Sequence, residues 1–134
     1  MELYWLRGDR ARSRAYADSA WQETQSQLRV VPGDAQRQVI GALQLAYLGR
    51  KDEAIALGLQ GLALSPISRD QVNGPYYQQL MARVYLMVGE PEKALDMLEP
   101  LLTMPYFLSP GWLKVDPTFA QLKGNPRYER LLKQ

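Results

Sequence analysis

The sequence predicts an all-α fold built from consecutive helix-turn-helix units, and three observations lead to this class. Glycine turns recur at Gly8-Asp9, Gly49-Arg50 and Gly89-Glu90, with spacings of 41 and 40 residues. An apolar segment of helical periodicity precedes and follows each turn. Hydrophobic residues make up 46% and charged residues 22% of the 134 residues, which is the balance of a single folded domain.

The first helices are predicted from the segment before residue 34. Residues 3–6 form a short apolar stretch that matches only the second half of a helix, so we expect earlier turns of that helix to lie upstream of this sequence. No Gly or Pro occurs from Asp9 to Val31, and these 23 residues can therefore form one long helix. Its buried stripe would consist of Ala17, Trp21, Thr24, Leu28 and Val31.

The turns after Gly49 and Gly89 follow one pattern. Each glycine is expected to adopt a left-handed conformation that ends one helix, and the acidic residues that follow suit the N-terminus of the next. Ala54 and Ala94 each come five residues after the glycine, where a larger side chain would hold two antiparallel helices apart. Gly58 and Gly61 lie inside an apolar helical pattern and are expected to permit close packing.

The last part of the chain is predicted to form three short helices. Ser109-Pro110, Asp116-Pro117 and Asn125-Pro126 each place a capping side chain before a proline that suits the first helical position. These helices would cover the open face of the last repeat as a C-terminal cap. Their apolar residues are Trp112, Leu113, Phe119, Leu122, Tyr128, Leu131 and Leu132.

This organisation resembles the tetratricopeptide repeat family, whose helix-turn-helix unit has about 34 residues. The resemblance divides the chain into a partial first repeat (1–33), a repeat (34–66), a loop (67–74), a second repeat (75–105) and the cap (106–134). The matching positions are Ala42, Leu45, Gly49, Ala54, Gly61 and Pro66, and then Ala82, Tyr85, Gly89, Ala94, Leu98 and Leu101. Gln38 and Gln78 stand where the family has an aromatic residue. The resemblance implies a right-handed superhelix of antiparallel helix pairs.

A second resemblance concerns the C-terminal segment. Residues 105–117 and 122–128 are similar to the ending of tetratricopeptide regions that follow bacterial serine/threonine kinase, nucleotide cyclase or winged-helix regulator domains. The resemblance implies the C-terminal region of a larger signalling protein, acting as a non-catalytic interaction scaffold.

Composition argues against an enzyme. The chain has no Cys and no His, which excludes thiolate nucleophiles, imidazole bases, disulfides and Cys or His metal sites. We therefore predict no catalytic residue, no cofactor and no metal. The longest uncharged runs, residues 54–68 and 100–113, are shorter than the roughly 20 apolar residues of a membrane helix, so a cytoplasmic protein is expected.

The candidate binding site is the concave groove, because the family lines this surface with the first helices of successive units. Its residues would be Gln36, Val39, Leu43 and Tyr47 from one helix, Tyr76, Gln79, Arg83 and Met87 from the next, and Trp5 at the end of the row. Tyr, Trp, Met and Arg are enriched at protein interfaces, although Tyr47 and Met87 could equally pack between repeats. Expected partners are a peptide, the protein's own effector domain, or a second copy at the open N-terminal end.

Four arginines supply the second hypothesis, a helical-repeat RNA-binding module. Arg7, Arg10, Arg12 and Arg14 are offset only by Asp9. They could receive an acidic peptide or a phosphate backbone, or they could form a solvated helix start. The net charge of +2 provides little general attraction for nucleic acid, which makes RNA the weaker hypothesis.

Overall fold

The computed structural model describes residues 1–106 and 108–133, and every regular element within these ranges is a helix. This confirms the all-α class. The elements are α1 (Glu2–Leu6), α2 (Arg10–Val30), α3 (Ala35–Tyr47), α4 (Lys51–Leu64), α5 (Gly74–Met87), α6 (Pro91–Leu102), α7 (Pro110–Val115), the 3₁₀ helix η1 (Pro117–Leu122) and α8 (Pro126–Leu131). Among the described residues, no helix combines the length and the apolar character needed to cross a membrane.

The predicted glycine turns are confirmed. Gly8, Gly49 and Gly89 all have a left-handed φ, of 81°, 78° and 81°. In each turn the residue after the glycine donates its N–H to the carbonyl five residues before it, as Arg50 does to Leu45 over 3.0 Å. These bonds satisfy carbonyls that the end of a helix leaves free.

Successive helices pack in pairs and then on the next pair. The most extensive packing joins α3 to α4, α5 to α6 and α2 to α3, and α5 also contacts both α3 and α4. Ala54 and Ala94 are fully buried at the starts of α4 and α6, as predicted. A Cβ atom added to Gly61 would lie 2.5 Å from Cγ2 of Val39, so this glycine allows α3 and α4 to approach closely.

The long second helix is confirmed with one correction. Asp9 caps α2 by accepting the N–H of Arg12 over 3.1 Å, and Ala17, Trp21 and Thr24 are buried as expected. Leu28 is half-buried, and Val31 is exposed, so the predicted place of Val31 in the buried stripe is wrong. The reason is that α2 ends at Val30, and the backbone of Val31 leaves the helical conformation.

The three helices of the predicted C-terminal cap each begin after the expected capping residue. The side chains of Ser109, Asp116 and Asn125 accept N–H groups two or three residues ahead, at 3.1, 2.9 and 3.0 Å. The second of these helices is a 3₁₀ helix. Leu113, Phe119, Leu122, Tyr128 and Leu131 are buried in the core that extends from α2 to α8, whereas Trp112 is exposed. Phe107 and Gln134, which belong to the predicted cap, lie outside the described residues.

Candidate functional site

A cavity of about 320 Å³, here called the terminal cavity, lies where the first and last parts of the chain meet. Its walls come from α1, the start of α2, the C-terminal ends of α3 and α5, and η1. The lining residues are Glu2, Trp5, Leu6, Arg10, Tyr47, Leu86, Met87, Pro117, Thr118, Ala120 and Gln121. Most of these side chains are apolar.

Helix α1 forms one wall because two contacts hold it on α2. The buried hydroxyl of Ser13 donates a hydrogen bond to the carbonyl oxygen of Met1 over 2.8 Å. The ring of Tyr4 stacks on Tyr16, with 5.3 Å between the ring centroids and 6° between the planes. These contacts direct Trp5 toward the end of α3.

Trp5 and Tyr47 form the aromatic part of the terminal cavity. Their rings meet edge to face, with centroids 5.6 Å apart and an interplanar angle of 88°, which is a favourable arrangement for an aromatic pair. Burial, together with the nearby Glu2 carboxylate, raises the pKa of Tyr47 to about 12. Its phenol therefore remains protonated at neutral pH and can only act as a neutral group.

A charged network closes the side of the cavity next to η1. The Glu2 carboxylate accepts a hydrogen bond from Oγ1 of Thr118 over 3.1 Å and lies 3.6 Å from the guanidinium of Arg83. Arg83 also lies 3.6 Å from Asp116. Since Asp116 caps η1, this network joins α1, α5 and η1 through their side chains.

Arginines stand at the opposite edge of the cavity. The guanidinium carbon of Arg10 lies 3.4 Å from the centroid of the Trp5 ring, and Nη1 of Arg10 donates to the carbonyl of Trp5 over 2.9 Å. Arg12 faces away, 3.6 Å from Asp9 and 5.7 Å from the ring of Tyr4. Arg7 and Arg14 are exposed and form no ion pair within residues 1–106 and 108–133. Within the predicted cluster, Arg10 and Arg12 thus contact other groups of the chain, whereas Arg7 and Arg14 have no ion pair among the described residues.

The nine predicted groove residues do not form one surface. Trp5, Tyr47 and Met87 meet in the terminal cavity, and Arg83 reaches it through Glu2. The remaining five lie elsewhere: Val39 is fully buried against α4, Gln79 is buried, Leu43 packs on the core, and Gln36 and Tyr76 are exposed.

Gln79 is inaccessible because the segment after α6 covers it. The Tyr106 hydroxyl donates a hydrogen bond to Oε1 of Gln79 over 2.6 Å. Burial raises the pKa of Tyr106 to about 12. The C-terminal segment of the chain therefore occupies part of the surface of α5 that the groove prediction leaves open to a partner.

Sequence reasoning did not identify the lining residues from η1, namely Pro117, Thr118, Ala120 and Gln121, nor Glu2 and Leu6 from α1. No local pattern marks them, because their common position depends on a contact between the two ends of the chain. The capping signal at Asp116 located η1 in the sequence but not in space.

No group of three or more metal-ligating side chains occurs in the part of the chain that the structure describes. Comparisons with protein-family models, with curated proteins and with solved structures returned no significant match.

Proposed function

We propose that the chain is a tetratricopeptide-like repeat domain that binds a protein segment and catalyses no reaction. The repeated turns at Gly8, Gly49 and Gly89, and the packing of α5 on both helices of the preceding pair, support antiparallel pairs stacked in a right-handed superhelix. In such a fold the binding surface is assembled from helices of successive units.

One observation carries the proposed function: Trp5, Tyr47 and Met87 converge on a single cavity from three different helices. These residue types give a large contact area and are common where binding energy is concentrated. A volume of about 320 Å³ is at the lower end of the range for ligand pockets, roughly 300–1,000 Å³, and suits one or two side chains of a peptide.

The composition and the site chemistry favour binding over catalysis. The sequence supplies neither His nor Cys, and the Tyr47 phenol is held in its neutral form. Glu2 and Asp116 are both engaged by Arg83, which makes them poor general bases. The one carboxylate of the cavity lining, Glu2, is thus engaged by other side chains of the domain.

In the cell, we propose, this domain is the C-terminal part of a larger bacterial signalling or regulatory protein in the cytoplasm. The bound segment belongs either to another protein or to an effector domain of the same polypeptide. Leu3 and Leu6, which are exposed on α1, supply an apolar surface for that effector domain or for a second copy of the chain.

Peptide display on the immobilised chain tests the proposal. Peptides selected by the wild-type chain should lose binding to Ala120→Phe, because the added ring fills the terminal cavity from η1. Ala63→Phe is the matched control, since Ala63 is exposed on α4 and does not line the terminal cavity. Selection of no peptides, or of peptides that bind both variants equally, would count against a binding site in this cavity.

A further inference from the structure

We propose that the segment bound in the terminal cavity is an acidic peptide, with one apolar side chain inside the cavity and its carboxylates on a strip formed by Arg7, Arg10 and Arg14. This inference rests on the proposed function and adds the chemistry of the partner. Two features carry it, the hydrocarbon part of the cavity wall and the positive charge of the arginines beside it.

The walls favour an apolar side chain over a charged one. Leu6, Leu86, Met87 and Pro117 contribute hydrocarbon surface around the aromatic pair. The one carboxylate of the lining, Glu2, already accepts the hydrogen bond from Thr118 and faces Arg83. A cationic side chain would therefore find no free anion in the cavity, and it would meet the positive charge of Arg10 at the edge.

The arginine strip is continuous with this cavity. Arg10 is a lining residue, and Arg14 lies four residues after it, on the same face of α2. Arg7 follows α1 and precedes α2, and the turn at Gly8 lies between it and Arg10. Arg7 and Arg14 are exposed and without an ion-pair partner among the described residues. Carboxylates on both sides of an apolar anchor residue would complement this arrangement of charge.

The same charges could attract RNA, but the nearby aromatic rings do not suit it. Binding of single-stranded nucleic acid depends on bases that stack on open aromatic faces. Here Tyr4 is stacked on Tyr16, and Trp5 is covered on one face by Arg10 and contacted by Tyr47. Tyr4 and one face of Trp5 are thus covered by other side chains, which disfavours the stacking of bases on them.

Fluorescence anisotropy with four labelled probes tests the inference. The first probe is a capped peptide with a central leucine flanked by three glutamates on each side. The second has serine in place of leucine, the third has glutamine in place of every glutamate, and the fourth is oligouridine. We expect the first probe to bind about tenfold more tightly than either altered peptide, and added salt to weaken its binding.

Variants of the protein locate the contact. The double variant Arg7→Glu/Arg14→Glu should bind the first probe about tenfold more weakly than the wild type. Arg29 is exposed at the far end of α2, so Arg29→Glu should leave binding of this probe unchanged. Ala120→Phe should abolish binding of this probe. Melting curves of all variants establish that each one is folded.

Three outcomes would overturn the inference. If the glutamine peptide binds as tightly as the glutamate peptide and Ala120→Phe abolishes both, the acidic partner is wrong while the binding function stands. If oligouridine binds, and the arginine variant weakens it but Ala120→Phe does not, the strip is an RNA site. If none of the peptides binds, the stated partner chemistry fails, and the display experiment decides the proposed function separately.

Discussion

Thr118 Oγ1 donates a hydrogen bond to Glu2 Oε1 over 3.1 Å, although the two residues are 116 positions apart in the sequence. We expect Thr118→Val to lower the free energy of unfolding by about 0.5–1.5 kcal/mol, because it removes this bond and keeps the shape of the side chain. Urea denaturation measures the change. In a double-mutant cycle with Glu2→Ala the two effects should be less than additive, and full additivity would contradict a direct contact.

Close packing at Gly61 leads to a second prediction. A methyl group there would meet Cγ2 of Val39 at 2.5 Å and the carbonyl oxygen of Ala35 at 3.0 Å, and neither can move easily. We expect Gly61→Ala to destabilise the chain by about 1–3 kcal/mol, despite the higher helix propensity of alanine. Gly111→Ala is the control, because only Oγ of Ser109 lies nearby, at 3.7 Å. Thermal melts of both variants should differ, and equal melting temperatures would contradict the prediction.

Arg127 attaches the last helix to α6. It binds Glu99 and Asp96 at 2.8 Å each and the carbonyl oxygen of Glu92 at 3.2 Å. These carboxylates are partly solvated, so we expect Arg127→Met to cost only about 1–2 kcal/mol of unfolding free energy. Hydrogen exchange of α8 should become faster in this variant. Lys114→Met, at an exposed residue of α7 without an ion pair in the described ranges, should leave that exchange unchanged.

The raised pKa of Tyr47 predicts a loss of stability in alkali. The phenol has a pKa of about 12 in the folded chain against an ordinary value of 10.0, so the unfolded chain releases its proton first. The contribution of the Tyr47 phenol to the free energy of unfolding is fully present below pH 10 and is lost as the pH rises toward 12. Urea midpoints measured from pH 8 to pH 11 should decline less steeply in Tyr47→Phe than in the wild type. If the urea midpoints of the two proteins decline equally with pH, Tyr47 does not contribute to the loss of stability in alkali.

Local chemistry made the elements predictable. Asn125 before a proline, or Gly49 after an apolar segment, determines the backbone within a few residues, and both behaved as expected. The length of α2 was also predictable, whereas the exposure of Val31 depends on the residue at which that helix ends. Such endings are sensitive to small differences in capping.

The candidate site was predictable only in part. The sequence predicts Tyr47 and Met87 at equivalent places on the first helices of successive units, and both line the terminal cavity. The same reasoning predicts Gln79 in the groove, yet Tyr106 covers it. Contacts of this kind depend on where a distant segment returns to the helices, and helical periodicity contains no information about that path.

The bond between Glu2 and Thr118 also bears on the order of folding. Pairs such as α3 with α4 join near neighbours in sequence, whereas α1 and η1 must close a loop that includes most of the chain. Loop entropy favours the local pairs first and the closure last. A chain that has formed its helix pairs but not yet this contact would therefore lack the finished cavity.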